Sequence, residues 1–352
     1  MVMRTVEMDF EYMNYIPKSP TPRENLFKQA CSNDGLTVNS WHKVWVGNAK
    51  ANHKKYGPFK KRSLGNLWGK YARQPIIAQG SGPSLRNNIK LHRPTFIRKD
   101  VLGKTVEVPM EIPIISCLHN YHYNEDNGVR PKYYVSLDAG EITIDEISKG
   151  GLKSPKEYLE STKDKTLIAY IGSSPKLLEA WKGEILFFNC SVPDKQICKE
   201  MKAIEDFNCY VSSGGNVLGA CVYIAKAFFG CNPICFTGAD FSFSYAKEFH
   251  PWKDETYAKV GNAMRGIDVY GNKVLTWRSY FNFKSFFDWM AQTVPGIYVN
   301  ATEGGTLGAY PEGNIADIKQ MPLEYFIRMY HMHWDMEAQA KTPEKPSNFI
   351  LY

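Results

Sequence analysis

The chain has 352 residues, 43% hydrophobic and 22% charged, with a formal net charge of +7 at pH 7. Those values exclude a wholly disordered chain and leave room for one large domain with additions, or for two domains. No run approaches the ~20 apolar residues that cross a bilayer. The opening MVMRTVEMDFEYMNYIP carries acids and aromatics where a secretory signal has an apolar core, so a cytoplasmic protein is expected.

Residues 1–73 lack a clean period. The stretch from Pro17 to Pro22 and the pair Gly57-Pro58 break them into short pieces, which predicts a partly helical N-terminal extension. Between Asp34 and Asp100 there is no acidic residue. Lys43, Lys50, Lys54, Lys55, Lys60, Lys61, Arg62, Lys70 and Arg73 alternate there with Trp41, Trp45, Tyr56, Phe59, Trp68 and Tyr71. Such a mixture suits nucleic acid, through phosphate contacts and base stacking, an anionic small substrate or acidic partner, or a merely solvated face. Nucleic acid ranks last of the three.

From Gln74 short apolar runs alternate with longer amphipathic ones, the pattern of strands and crossover helices. Strands are predicted at Pro75–Gln79, Ile112–Cys117, Tyr133–Leu137, Thr166–Ile171, Ile185–Asn189, Cys209–Val211, Pro233–Thr237 and Gly296–Asn300. They read as continuous apolar runs, as strands buried on both faces do. Helices are predicted at Asn216–Phe229, closed by Gly230, at Tyr280–Thr293 and at Leu323–Ala338. The expected fold is therefore α/β and Rossmann-like. A mostly parallel sheet flanked by helices occupies 74–310, the basic extension 1–73 precedes it, and a helix with a loose tail follows over 311–352. Five of the eight cysteines, Cys117, Cys190, Cys209, Cys231 and Cys235, lie in or beside the apolar runs and are expected to be reduced core thiols; no C-x-x-C pair suggests zinc.

In open α/β sheets ligands gather beyond the carboxyl ends of the strands, so the residues just after each strand carry the candidate chemistry. Gly80-Ser81-Gly82-Pro83-Ser84 follows the first core strand. Its glycines permit close backbone approach to a ligand, and Ser84 is placed to cap the next helix. Ser212-Ser213-Gly214 precedes the best helix and offers a second phosphate loop, or an ordinary cap. Asp240 and Asp138 each end a strand, where a carboxylate can bind a sugar hydroxyl, hold a metal, act as a base or cap a turn. Glu303, in Asn300-Ala301-Thr302-Glu303-Gly304-Gly305, can orient a substrate or cap a helix. His119 and His122 follow a strand, but His250 is the preferred base, because its polar, aromatic loop with Tyr245, Phe249 and Trp252 can close over a ligand.

The Gly80–Leu85 loop, Ser213-Gly214 before a helix, Pro233–Phe241 and Asn300–Gly305 together resemble the MptE-like 6-hydroxymethylpterin diphosphokinase family over residues 74–310. That family includes bacterial motility accessory factors implicated in glycosylating flagellin. The first three elements are also similar to bacterial sialyltransferases that use CMP-activated acids, whose first loop reads Gly-Asn-Gly-Pro-Ser; Ser81 stands here in place of Asn. The sialyltransferase resemblance implies a lid base at His250 and tyrosines steadying the leaving phosphate at Tyr245 or Tyr257. The favoured expectation is a metal-independent glycosyltransferase with a nucleotide-sugar donor, such as a CMP-nonulosonic acid, bound across Gly80, Ser81, Gly82, Ser84, Asp138, Ser212, Ser213, Gly214 and Glu303. Second comes a diphosphokinase using ATP with Mg²⁺ on Asp138 and Asp240, and third a non-catalytic scaffold.

Overall fold

Nine short parallel strands, most of them apolar runs, set the architecture. The structure is a computed structural model and describes residues 14–15, 23–99, 102–192, 194–243, 263–309 and 317–337. The chain opens with β1 (Asn14–Tyr15), the long helix α1 (Arg23–Tyr56) and two 3₁₀ turns, Phe59–Arg62 and Leu64–Leu67. There follow β2 (Ile76–Gln79), α2 (Leu85–Asn88), a hairpin of β3 (Thr95–Lys99) and β4 (Thr105–Pro109), β5 (Ile114–Cys117), α3 (Tyr121–Asp126) and β6 (Tyr133–Ser136). A 3₁₀ segment, Glu141–Ile147, leads to α4 (Pro155–Glu160), β7 (Thr166–Tyr170), α5 (Pro175–Ala180), β8 (Glu184–Cys190), α6 (Lys195–Ile204) and β9 (Tyr210–Val211). After α7 (Val217–Tyr223) come β10 (Ile234–Thr237), a hairpin of β11 (Ala263–Ile267) and β12 (Lys273–Trp277), α8 (Arg278–Thr293), β13 (Tyr298–Asn300), β14 (Ile318–Gln320) and α9 (Leu323–Glu337).

The sheet order is β14-β13-β10-β2-β5-β6-β7-β8-β9, and every neighbouring pair in it is parallel. All eight expected strands are in it. The ninth, β14, escaped the sequence reading because an edge strand of three residues, with only Ile318 buried, carries almost no apolar signal. The fold is the expected α/β, Rossmann-like one. Side chains alternate between its two faces: Ile76 and Ala78 join one buried cluster, Ile77 the other. Leu323, Phe326 and Ile327 of α9 cover the second face, while α7 lies across β2, β5 and β6 on the first.

Local chemistry explains where elements start and stop. The side chain of Asn216 caps α7 by accepting from Gly219 N at 2.8 Å, and the helix runs through a π segment, Ile224–Phe228, to Gly230 at φ +75°. Asp194 caps α6 through Ile197 N at 2.8 Å, and Ser154 with Glu157 forms a capping box at α4 behind Pro155.

Residues 38–73, read in the sequence as part of an extension, pack into the main core. Val38, Val46, Ala49, Phe59 and Leu64 are buried in the first cluster. The Phe59 ring lies 4.8 Å from Phe187 and 6.1 Å from Phe207. The turn after α1 is pinned by Glu205, whose carboxylate accepts from Phe59 N (2.7 Å) and Lys60 N (3.0 Å) and lies 3.1 Å from His53 Nε2. Trp45, Tyr56, Trp68 and Tyr71 also face the core, while all nine basic side chains named above are exposed. An aromatic ring spent on the core is not free to stack on a base, so the alternating basic and aromatic pattern separates into a packed face and a solvated one.

Candidate active site

The chain fills the sheet from β2 outward to β9, then crosses back to place β10 on the other side of β2. The switch point, where a ligand crevice is expected, therefore lies at the carboxyl ends of β2 and β10. Here the first glycine loop meets the loop after β10. Gly80 N donates to Thr237 O and Gly82 N to Gly238 O, each at 2.8 Å. A Cβ on Gly80 would collide with Gly238 O, one on Gly238 with Gly80 O, and one on Gly82 with the Asp240 carboxylate. These glycines let two strand-end loops touch each other, a use that the spacing alone does not distinguish from ligand approach.

Asp240 is 3% exposed. Its Oδ1 accepts from Ser84 Oγ at 2.5 Å and from Ser84 N at 3.1 Å, and its Oδ2 has no hydrogen-bond partner among the described residues. Burial pushes its pKa up to about 7, against the pull of the Ser84 donors. One expectation changes. Ser84 does not cap α2: it is itself helical, at φ −64° and ψ −19°, and spends its hydroxyl on Asp240. Asp240, read as a ligand for sugar or metal, a base or a turn cap, ties the glycine loop to the end of β10.

Asn300–Gly305 completes this knot. Asn300 Nδ2 donates to Leu307 O (3.1 Å) and Gln320 Oε1 (2.9 Å), and Thr302 Oγ1 accepts from Ala239 N at 3.0 Å. Thr306 N donates to Asp240 O at 2.7 Å, and a Cβ on Gly305, at φ +71°, would strike the Asp240 backbone. Glu303 adopts φ +59° and its Oε1 accepts from Leu323 N, the first residue of α9, at 3.2 Å. Of the two roles weighed for Glu303, the geometry shows the helix cap.

The second loop arrives from the far side. β9 stands five strands from β2, roughly 24 Å at the usual spacing, and residues 212–216 bring the chain back. Leu218 Cδ2 then sits 3.1 Å from where a Gly80 Cβ would be, so the first turn of α7 meets the Gly80 loop. Within the second loop Ser213 Oγ accepts from Gly215 N at 3.2 Å, and Gly214, at φ +58°, lies where a Cβ would run into the Phe286 ring. Ser81 and Ser212 are both half-buried beside these contacts.

The open chemistry lies on the other side of β2. Asn120, just past β5, donates through Nδ2 to Gly80 O at 2.9 Å and leaves its buried Oδ1 without a partner among the described residues. Ser116 Oγ and Asn124 Nδ2 both donate to Gln79 Oε1, at 2.7 and 2.8 Å, so a buried polar network underlies the loop. Asp138, past β6, is exposed by area, yet the protein around its carboxyl pushes its pKa up to about 6, with Glu146 adding to the rise and His119 opposing it. Asp138 thus stands at the carboxyl edge of the sheet, where the ligand cleft of such a fold is expected. His119 Nδ1 stands 3.2 Å from Glu146 Oε2. His122 is buried, its Nδ1 3.3 Å from Glu146 O, and burial lowers its pKa.

Helix α1 packs against the loops after β6 and β7. Asn48 Nδ2 donates to Ala139 O (3.0 Å) and Gly172 O (3.1 Å), and Asn52 Nδ2 to Ile171 O and Ser173 O, both at 2.9 Å. The Trp41 ring lies 3.5 Å from the place of a Cβ on Gly140. Sequence reasoning missed Glu146, Asn120 and the Asn48/Asn52 pair. The pair's spacing of four, on one helix face, was the available signal; Glu146 had none.

Asp138 and Asp240, the possible Mg²⁺ ligands of a diphosphokinase, follow β6 and β10, which stand three strands or roughly 14 Å apart in the sheet. Among the described residues no group of three or more His, Cys, Asp or Glu is placed to hold a metal ion. His250, Tyr245 and Tyr257 lie outside the described residues.

A parallel sheet whose loops converge at the carboxyl edge of its switch strands defines a Rossmann-like α/β protein. The chain belongs to the 6-hydroxymethylpterin diphosphokinase MptE-like family, whose model matches residues 48–246, more than half of its length. Among solved structures, the MAf glycosyltransferase from Magnetospirillum magneticum AMB-1 shares the fold with a TM-score of 0.50 at 14% identity. The match covers 80% of this chain but 38% of that protein, so the chain corresponds to little more than a third of it. No curated protein matches the chain. No helix among the described residues is long and apolar enough to cross a membrane.

Proposed function

We propose that this chain is a transferase that moves a glycosyl group from a nucleotide-activated sugar, of the CMP-nonulosonic acid type, to a hydroxyl acceptor. The observation that carries the reading is the grouping of the exposed Asp138 with His119 and Glu146 at the carboxyl ends of the adjacent strands β5 and β6. A carboxyl there can bind a sugar or acceptor hydroxyl. The catalytic body is residues 74–310, with α1 packed against its loops. The glycosyltransferase that shares the fold supports this choice. The family's description favours a second reading, pyrophosphate transfer from ATP to a pterin-like alcohol, in which Mg²⁺ is carried chiefly by the phosphates.

A thermal-shift panel of CMP, CDP, UDP, GDP and ATP, each with and without Mg²⁺, separates the two. A ligand at a hundred times its dissociation constant stabilises by about 2.7 kcal/mol. Stabilisation by CMP without metal, weakened in Asp138→Asn only when a sugar is attached, is the expected result. Stabilisation by ATP alone, and only with Mg²⁺, reverses the order of the readings.

A further inference from the structure

We infer that His119 is the catalytic base of this chain and that Glu146 is its positioning residue. The inference rests on the glycosyl-transfer reading for the reaction it serves, but the pair itself is read from geometry. Three features converge at the ends of two adjacent strands. His119 follows β5 directly, is one-third exposed, and has Nδ1 3.2 Å from Glu146 Oε2. Glu146 is delivered by the 3₁₀ segment after β6, in the same loop that begins with Asp138. Asp138 is exposed and close enough to both for their charges to act on its carboxyl. The next residue, Asn120, holds the Gly80 carbonyl, so the pair is keyed to the switch-point loop through the backbone.

A carboxylate opposite Nδ1 holds the proton on that nitrogen and puts the lone pair on Nε2. This is the arrangement of nucleophile-activating histidines: one nitrogen oriented, the other accepting. The charged and titratable groups about the ring include Glu146, Asp138 and His122, with Asp126 acting on His122 in turn. In the reaction the acceptor O–H gives its proton to His119 Nε2 as its oxygen bonds to the anomeric carbon. The bond from that carbon to the nucleotide phosphate breaks, and the phosphate leaves with the electron pair. Glu146 stabilises the imidazolium, which then releases its proton to water. Asp138 accepts a hydrogen bond from the sugar or the acceptor. His250, the base expected from the family resemblance, is not needed for this step.

The test compares full-length wild type with His119→Gln, Glu146→Gln and His250→Ala. Release of CMP from a CMP-activated nonulosonic acid, with water or an added polyol as acceptor, is followed beside CMP affinity by calorimetry. His119→Gln is expected to lower turnover about 10²–10⁴-fold with CMP affinity held within threefold, and Glu146→Gln to lower it less. Turnover of His119→Gln within threefold of wild type, or a full loss in His250→Ala alone, overturns the inference. If wild type turns over no activated sugar, it is the glycosyl-transfer reading that fails. The pair is then decided by ¹⁵N resonances of the His119 ring: an Nδ1–H tautomer that Glu146→Ala releases upholds it, and an Nε2–H tautomer indifferent to Glu146 refutes it.

Discussion

A carboxyl with 3% exposure, two donors on one oxygen and none on the other, as in Asp240, makes the stability of this protein depend on pH. Burial raises its pKa from 3.8 to about 7. Below the unfolded value both states hold the proton and nothing is lost. As pH rises towards the folded value the unfolded chain releases its proton first, so stability falls, and the loss is complete above about 7. Asp240→Asn keeps the acceptor for Ser84 and removes the charge. Relative to wild type it is expected to gain on the order of 2 kcal/mol more at pH 8 than at pH 5, read from urea midpoints. An equal difference at both pH values would show that the carboxyl is not held desolvated. The neighbouring glycine has the opposite sensitivity. Gly82→Ala drives a methyl into the Asp240 carboxylate and should cost about 1–3 kcal/mol at either pH, whereas Gly103→Ala, with open space around it, tests only the left-handed backbone.

Helix α1 joins two jobs along its length. Towards its end Val46 and Ala49 are core, while Asn48 and Asn52 bind four backbone carbonyls of the loops after β6 and β7. Loop carbonyls at the carboxyl edge have no sheet partner, and these amides supply it. Asn52→Ala leaves two buried carbonyls without donors and is expected to cost about 2–4 kcal/mol, measured by chemical denaturation. It should also loosen those loops, seen as faster amide exchange at residues 171–173. Phe59→Ala, which empties a ring site between Phe187 and Phe207, should cost about 3–5 kcal/mol without that local effect. If both substitutions changed exchange alike, α1 would serve only as packing.

At the scale of the molecule, residues 38–73 cannot be detached as an appendage. Deleting residues 1–73 removes Val38, Val46, Ala49, Phe59 and Leu64 from the principal core and exposes what they cover. The truncated chain is expected to lose cooperative thermal unfolding; a sharp transition in it would show the sheet to be independent. The sheet itself was legible in the sequence, because a strand buried on both faces is apolar at most positions, as the runs Thr166–Tyr170 and Ile234–Thr237 are. So were the loops worth examining, since ligands and strand carboxyl ends go together in this class of sheet. Which side chains in those loops remain open was decided only by tertiary structure. Gly80, Gly82, Asp240 and Glu303 have the composition of a ligand site, but the loops after β2 and β10, neighbours in the sheet and far apart in the chain, press the first three on one another, while Glu303 caps α9. His119, Glu146 and Asp138 come from two separate loops and share no motif; adjacency of β5 and β6 brings them together. Local sequence records what each residue can do. The pairing of strands decides which of those capacities is spent inside the fold and which is left open.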